Sequence, residues 1–271
     1  SNFNLDFINE NEKKGTIGIN IEKVSNDTYL KVHDIKSSLV DKDKTVLENK
    51  IDFTYQNKDF FLGITPSFYE DTTKLGNKRH EYLLPLTIEK NIMSSEKYGF
   101  LDVGSNLKLR NYETNKQTNF LVNNFNWKSN KWLSSLGIEN YFEGLIKNVN
   151  YDANNTTEFK NNKKNFELHS ALGYFAKLGM YKEDIINNNF HSLTPKFLLR
   201  YAPGHMRNTG NQGSRLSYAN LFNLNKVDEF DVLEPGLSTS IGFEYKKNKL
   251  NEKNEIANEV LTLSAGQVIS A

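Results

Sequence analysis

The 271-residue chain contains no cysteine, which excludes disulfides and thiolate metal sites but says little about compartment. It has no excess of charge: 34 Lys and Arg stand against 33 Asp and Glu, a formal net charge of +1. There is therefore no electrostatic case for nucleic acid as a partner. No apolar run approaches the roughly eighteen residues that a spanning helix needs. Only 37% of the residues are hydrophobic and the mean hydropathy is −0.63, too polar for a helical membrane protein. A transmembrane β-barrel stays open on these numbers, because half of each strand faces a polar lumen. Sustained apolar spacing at i, i+3, i+4 and i+7 is also missing, so helix signals are weak throughout. The length suits one large all-β domain or two ordinary ones, and no internal boundary is visible.

The usual carriers of chemistry are missing as well. The five histidines, His33, His80, His169, His191 and His205, never pair at a ligand spacing such as His-x3-His. No phosphate-cradling glycine loop, nucleophile elbow or His-Glu-x-x-His helix occurs. Gly204 in Ala202-Pro203-Gly204-His205 reads as a turn glycine. No cofactor, metal or catalytic residue is expected, and the chain is read as a non-enzyme.

What the chain has is period-two alternation, the mark of a strand with one apolar side. In 193–203, Pro195, Phe197, Leu199, Tyr201 and Pro203 share one face, and Lys196, Leu198, Arg200 and Ala202 share the other. The pattern recurs in 58–70, 81–89, 100–110, 166–180 and 232–246, and less cleanly in 16–24, 28–36, 46–56, 117–128, 132–145, 215–224 and 258–270. That makes thirteen or fourteen strand candidates, many of them of the length, about nine to eleven residues, that crosses a bilayer on a tilt. The first residues, Ser1 to Phe7, already read as strand rather than as a signal peptide, and 261–269 do too. The chain therefore looks like a piece of a longer sheet.

Asn57-Lys58, Ser129-Asn130-Lys131 and Ser25-Asn26-Asp27 suit tight hairpin turns. Long polar connectors are expected at 71–80, 148–165, 182–189, 204–214 and 247–255. Short turns on one rim and long loops on the other is the habit of outer-membrane barrels. Proline removes a ladder donor. Pro195 and Pro235 read as strand-start residues, whereas Pro85 sits in mid-pattern and suggests a bulge or weakened pairing.

The polar faces carry Asp102, Asn106, Lys108, Arg110, Glu139, His169, Lys196, Arg200, Glu234 and Glu244. On a soluble sheet these would be the wet side; in a barrel they would line a hydrated lumen suited to a polar, charged molecule. Strand length, strand number and loop asymmetry favour the barrel. The competing readings are a soluble or surface-attached β-sheet binding protein and a porin-like channel.

The run Leu193-Thr194-Pro195-Lys196, then Arg200-Tyr201-Ala202-Pro203-Gly204-His205-Met206-Arg207-Asn208, then Tyr218-Ala219-Asn220-Leu221-Phe222-Asn223-Leu224-Asn225 resembles LptD, the outer-membrane family of lipopolysaccharide assembly. Gly236-Leu237-Ser238-Thr239-Ser240-Ile241-Gly242-Phe243-Glu244-Tyr245 and Leu263-Ser264-Ala265-Gly266-Gln267-Val268 are similar to that family's next two strands. Pro66-Ser67-Phe68-Tyr69-Glu70-Asp71 and Glu81-Tyr82-Leu83-Leu84-Pro85 are similar to earlier ones. The resemblance is specific over about 193–270 and looser before, and it rests on the order of these segments. It implies an all-β fold: an antiparallel meander forming part of a large transmembrane barrel in the cell outer membrane. Residues 1–271 would then be a fragment of one barrel domain, without the N-terminal jellyroll, the first and last barrel strands, or the gate between them. The resemblance further implies insertion of lipopolysaccharide into the outer leaflet without chemistry. The implied partners are lipopolysaccharide, membrane lipid, an LptE-like plug lipoprotein, and periplasmic lipopolysaccharide-bridge proteins that act through the jellyroll.

Overall fold

A computed structural model describes residues 2–9, 13–28, 32, 44–157, 159, 164–184, 186–207, 216–227, 229–251 and 256–270. Fifteen strands occur among them: β1 (Asn2–Asn9), β2 (Lys13–Asn20), β3 (Val46–Asn57), β4 (Phe60–Ile64), β5 (Ser67–Asp71), β6 (His80–Ser95), β7 (Gly99–Tyr112), β8 (Lys116–Lys128), β9 (Trp132–Leu133), β10 (Glu139–Asn154), β11 (Asn165–Lys177), β12 (Met180–Asp184), β13 (Asn189–Ala202), β14 (Gly236–Leu250) and β15 (Ile256–Ser270). One short 3-10 turn (Gly76–Arg79) precedes β6. The sheet follows chain order, β1-β2-β3-β4-β6-β7-β8-β10-β11-β13-β14-β15, with β5 beside β3 and β6, β9 beside β10 and β12 beside β13. The fold is therefore all-β, as the alternation implied, and the antiparallel meander that the resemblance implied. Such a sheet needs only local connections, so each strand can pair with its predecessor as it forms.

The chain forms two compact units. The first holds 1–91, 103–123 and 148–167; the second holds 92–102, 124–147 and 168–271. In the first, the segment 58–70 is two strands rather than one, and proline is the reason. β4 ends where Ile64 faces Leu86, and β5 begins where Ser67 faces Leu83. Pro66 and Pro85 fall in that gap. The Thr65 N–H donates to the Pro85 carbonyl, and the Ile51 N–H to the Pro66 carbonyl, each at 3.1 Å. Antiparallel residues aim both backbone groups at one neighbour, so the N–H that Pro85 lacks would have pointed into the break. Mid-pattern Pro85 thus marks an interrupted ladder.

Pro195 belongs to the second unit and corrects the strand-start reading. It lies inside β13, opposite Phe243 of β14. On its other side β12 stops at the Met180–Leu193 pair and β11 resumes at Lys177–Lys196. The Pro195 carbonyl accepts from the Leu178 N–H at 3.2 Å, so its missing donor again faces a break. Pro235 does immediately precede a strand.

Other expectations fail for identifiable reasons. Ser25-Asn26-Asp27 turns locally, with the Asn26 side chain accepting from the Thr28 N–H, but β2 and its partner β3 are separated by the whole of 21–45. The expected loop 148–165 is strand as far as Asn154, because its asparagines alternate with buried Val149, Tyr151 and Ala153. The expected strand 215–224 is, over its described residues, a series of turns. Most of 28–36 and of 204–214 lies outside the described residues, as do 160–163 and 252–255.

Candidate functional site

Burial in this sheet is inverted relative to a protein that folds in water. On β13 the apolar face is open: Leu199 is 42% and Tyr201 56% exposed, whereas Arg200 on the opposite face is 1% exposed. The neighbouring strands repeat the arrangement. On β11, Phe166, Leu168 and Leu172 are exposed, while His169, Ala171 and Phe175 are buried; on β14, Leu237, Ile241 and Phe243 are exposed, while Ser238 and Ser240 are buried. Taking one such large side chain out of water contributes about 1.5–3 kcal/mol. A sheet folding in water would turn these rows inward, and a contiguous apolar surface signals contact with something apolar.

The opposite face of the second unit is covered by the connector between β13 and β14, at 216–227 and 229–235. Leu221, Leu224, Val232 and Leu233 are buried there. Leu224 and Leu233 cluster with Leu145, Ala171 and Ala202. Phe222 packs on the cluster of Tyr141, Phe175 and Leu198. Cations from the strands hold the connector by its backbone. Arg200 donates through Nε to the Leu224 carbonyl at 2.6 Å and through Nη2 to the Glu234 carbonyl. Lys147 Nζ donates to the carbonyls of Glu229 (3.0 Å) and Phe230 (2.8 Å). In return Lys226 Nζ donates to Ser238 Oγ at 2.7 Å. Burial pushes Lys226 down to about 8, the Arg200 charge adding to the push and the Glu234 carboxylate opposing it. Arg207 and Asp231, both in the connector, pair with each other.

Of the ten polar residues singled out by alternation, several meet. Lys196 and Glu244 lie 3.6 Å apart, and Lys246 reaches the same carboxylate at 3.3 Å. Glu139 sits between Lys131 (2.9 Å) and Lys177 (3.3 Å). Arg110 forks onto Glu81 at 2.7 and 3.1 Å, and Asn106 accepts from Thr87 Oγ1 at 3.0 Å. His169 is buried, Lys108 half-buried and Asp102 exposed. Glu234 departs from the pattern: it precedes β14, and it is its backbone carbonyl that serves Arg200. Lys147, Lys226, Arg207 and Asp231 are not among the ten, because the alternation read in 132–145 stops short of Lys147 and the other three lie outside the alternating runs 193–203, 215–224 and 232–246. Glu81 is different: it sits in the alternating run 81–89, on the face opposite Tyr82, Leu84, Leu86 and Ile88, and was legible there.

Arg200 is the keystone of this arrangement. Replacing it with methionine strands two carbonyls, and a buried acceptor left without a donor costs about 1–3 kcal/mol. Lysine should not rescue it, because the Leu224 and Glu234 carbonyls are met by two separate nitrogens, Nε and Nη2, and one Nζ cannot occupy both positions. Denaturant titration of the refolded protein would show both variants destabilised alike; full stability of Arg200→Lys would refute the two-carbonyl role.

The model for the family described as LptD, LPS transport system D, matches residues 8–271. A search of curated proteins returned no match. A match over nearly the whole length, on a chain that forms a long-stranded antiparallel meander with apolar rows turned outward from its buried cations, means that this chain belongs to the LptD family of lipopolysaccharide transport proteins.

Proposed function

We propose that this chain is part of the wall of a transmembrane β-barrel in the Gram-negative outer membrane, along which lipopolysaccharide is delivered to the outer leaflet. The observation that carries the reading is the exposed row of Leu, Ile, Phe and Tyr on β11, β13 and β14 opposite a buried row that includes Arg200 and His169. Hydrocarbon is the solvent in which that exposure is favourable, and nine strands of twelve to sixteen residues are long enough to cross it. The family works in transport and assembly, and no chemistry is assigned to this chain.

In this reading Asp102, Asn106, Lys108, Arg110, Glu139, His169, Lys196, Arg200 and Glu244 belong to the lumen side, and Glu234 to the connector above it. The proposed partners are an LptE-like lipoprotein in the lumen and periplasmic bridge proteins that reach the barrel through a jellyroll domain. The chain is read as one barrel domain. Depletion of the full-length protein should stop newly made lipopolysaccharide from reaching the cell surface while total lipopolysaccharide persists. Unchanged surface delivery would refute the transport reading.

Loop length supports an orientation. In a chain-ordered antiparallel meander alternate connectors leave from the same rim. The connectors 21–45, 72–79, 113–115, 155–164 and 203–235 alternate with 10–12, 58–59, 96–98, 129–138, 185–188 and 251–255. The first set contains the longest and is assigned to the cell exterior. A tag inserted near Asn155 should be reachable in intact cells; labelling only after permeabilisation would invert the topology.

A further inference from the structure

The proline break in the first unit leaves a groove in the apolar face of the sheet. The two faces of β3 are opposite in character. Lys50 lies 3.7 Å from Glu48 and 3.8 Å from Asp52, and Tyr69 donates to Glu48 at 3.1 Å. Asn49 and Ile51 alternate with these and point the other way. Across the ladders Ile51 meets Ile19 of β2, Asn49 meets Phe68 of β5, and Phe68 meets Tyr82 of β6. Ile51 and Tyr82 are exposed. Pro66, in the gap between β4 and β5, offers only its short ring among these longer side chains. The result is a groove of about 610 Å³, lined by Ile19, Ile51, Pro66, Phe68, Leu84 and Leu109 together with Tyr82 and Asn111.

Tyr82 and Asn111 also line a second pocket, of about 450 Å³, so the two are continuous. The second is polar. Asn77, Asn111, Asn115 and Gln117 supply amides, and Tyr82 and Tyr112 supply phenols. Its one lysine and its one carboxylate, Lys116 and Glu113, pair at 2.7 Å, so neither is left unbalanced to attract a charged group. An amide carries donors and an acceptor side by side, which suits a sugar hydroxyl. Asn77 belongs to the connector 72–79, and Glu113 and Asn115 to 113–115, both on the rim assigned to the cell exterior. Each volume falls within the roughly 300–1,000 Å³ of small-molecule sites.

We propose that groove and pocket together bind one outer-leaflet lipid with a saccharide head group. Its acyl chain lies along Ile51, Pro66 and Leu84, and its head-group hydroxyls meet Asn77, Asn111 and Asn115. This rests on the barrel reading, in which the groove faces hydrocarbon and the pocket faces the cell exterior. Such a lipid places its two parts in the same order. A free sugar would leave the groove empty, and a head group whose only polar feature is a charge would find no counter-charge on Lys116 or Glu113.

Photocrosslinking tests this on the full-length protein with its native partners, in vesicles of lipopolysaccharide and phosphatidylethanolamine. One lipid at a time carries photoreactive acyl chains, and the crosslinked peptides are mapped. Lipopolysaccharide should label the peptides holding Ile51, Pro66 and Leu84 several-fold more than those of β11, whose exposed Leu172 is the control. Phosphatidylethanolamine should label both alike. Asn111→Ala should abolish the preference. Should that variant fail to fold, Asn77→Ala, in the exposed 3-10 turn, should reduce it without touching a strand. Even labelling by lipopolysaccharide overturns the site and leaves the barrel reading standing. An equal preference by phosphatidylethanolamine, or one that survives the variants, overturns the saccharide assignment. Labelling of neither region by either lipid overturns the barrel reading and the site with it.

Discussion

Replacing Leu172 with arginine should destabilise the folded protein by about 2–4 kcal/mol in lipid vesicles. That size is unexpected for a side chain that is 56% exposed. On a surface facing water, an exposed substitution stays within about 0.5 kcal/mol. The difference comes from the medium. At the middle of a strand such as β11 a guanidinium in hydrocarbon has no hydrogen-bond acceptor, so it must drag water or headgroups toward it. Ile186, in the turn between β12 and β13, is 94% exposed, and arginine there should change little because the rim is wet. Urea titration followed by tryptophan fluorescence would measure both. If Leu172→Arg is as mild as Ile186→Arg, the exposed apolar face meets water, and the membrane assignment is lost.

The fold was largely legible because outward and inward residues differ sharply in polarity on β11, β13 and β14. Alternation in 166–180, 193–203 and 232–246 located those strands, and within β11, β13 and β14 the exposed apolar rows are the ones read from it; Leu233, read with Leu237 and Ile241, precedes β14 and is buried. Legibility ended where that contrast fades. On β8 both faces are apolar, with Phe120 and Val122 buried on one side and Leu121 and Phe125 exposed on the other, so 117–128 gave a poor period. On β10 the outward positions become Asn148, Asn150, Asp152 and Asn154 while the buried ones stay apolar. A run rich in asparagine reads as loop, and half a strand was missed. The break at Pro85 was readable as a weakened pairing, but the one at Pro195 was not, since a lone proline cannot reveal that the neighbouring strand stops opposite it. The connector 216–235 was hardest: 215–224 alternates enough to read as a strand, yet it forms turns and its leucines are buried by distant strands. Lys196 and Glu244 were found together because each alternates in its own strand, but Lys147 and Lys226 became visible only once the connector was seen folded onto the sheet.

Phe120→Ala should be among the most damaging single truncations in the first unit, costing about 3–5 kcal/mol. Phe120 is 4% exposed. Its ring stacks on Tyr151 with centroids 5.2 Å apart and meets the Phe159 edge at 5.1 Å, while Tyr151 and Phe159 lie 5.8 Å from each other. Phe159 comes from the connector between β10 and β11, so the triad pins that connector to the face that carries the buried residues. Removing the central ring opens a cavity lined by aromatic carbon, which water fills poorly. Leu121→Ala, one residue away on the exposed face, should cost less, because fluid lipid tails move into the vacated space and leave no void. The comparison tests whether this part of the buried face is a dry aromatic cluster or a hydrated wall. If water already surrounds the triad, Phe120→Ala should fall within the roughly 0.5 kcal/mol of an ordinary surface change, and the β10–β11 connector should be as open to protease in the wild type as in the variant. If the cluster is dry, the variant should lose stability and gain cleavage in that connector together, and Tyr151→Ala added to it should cost less than it does alone, because the two rings share one contact.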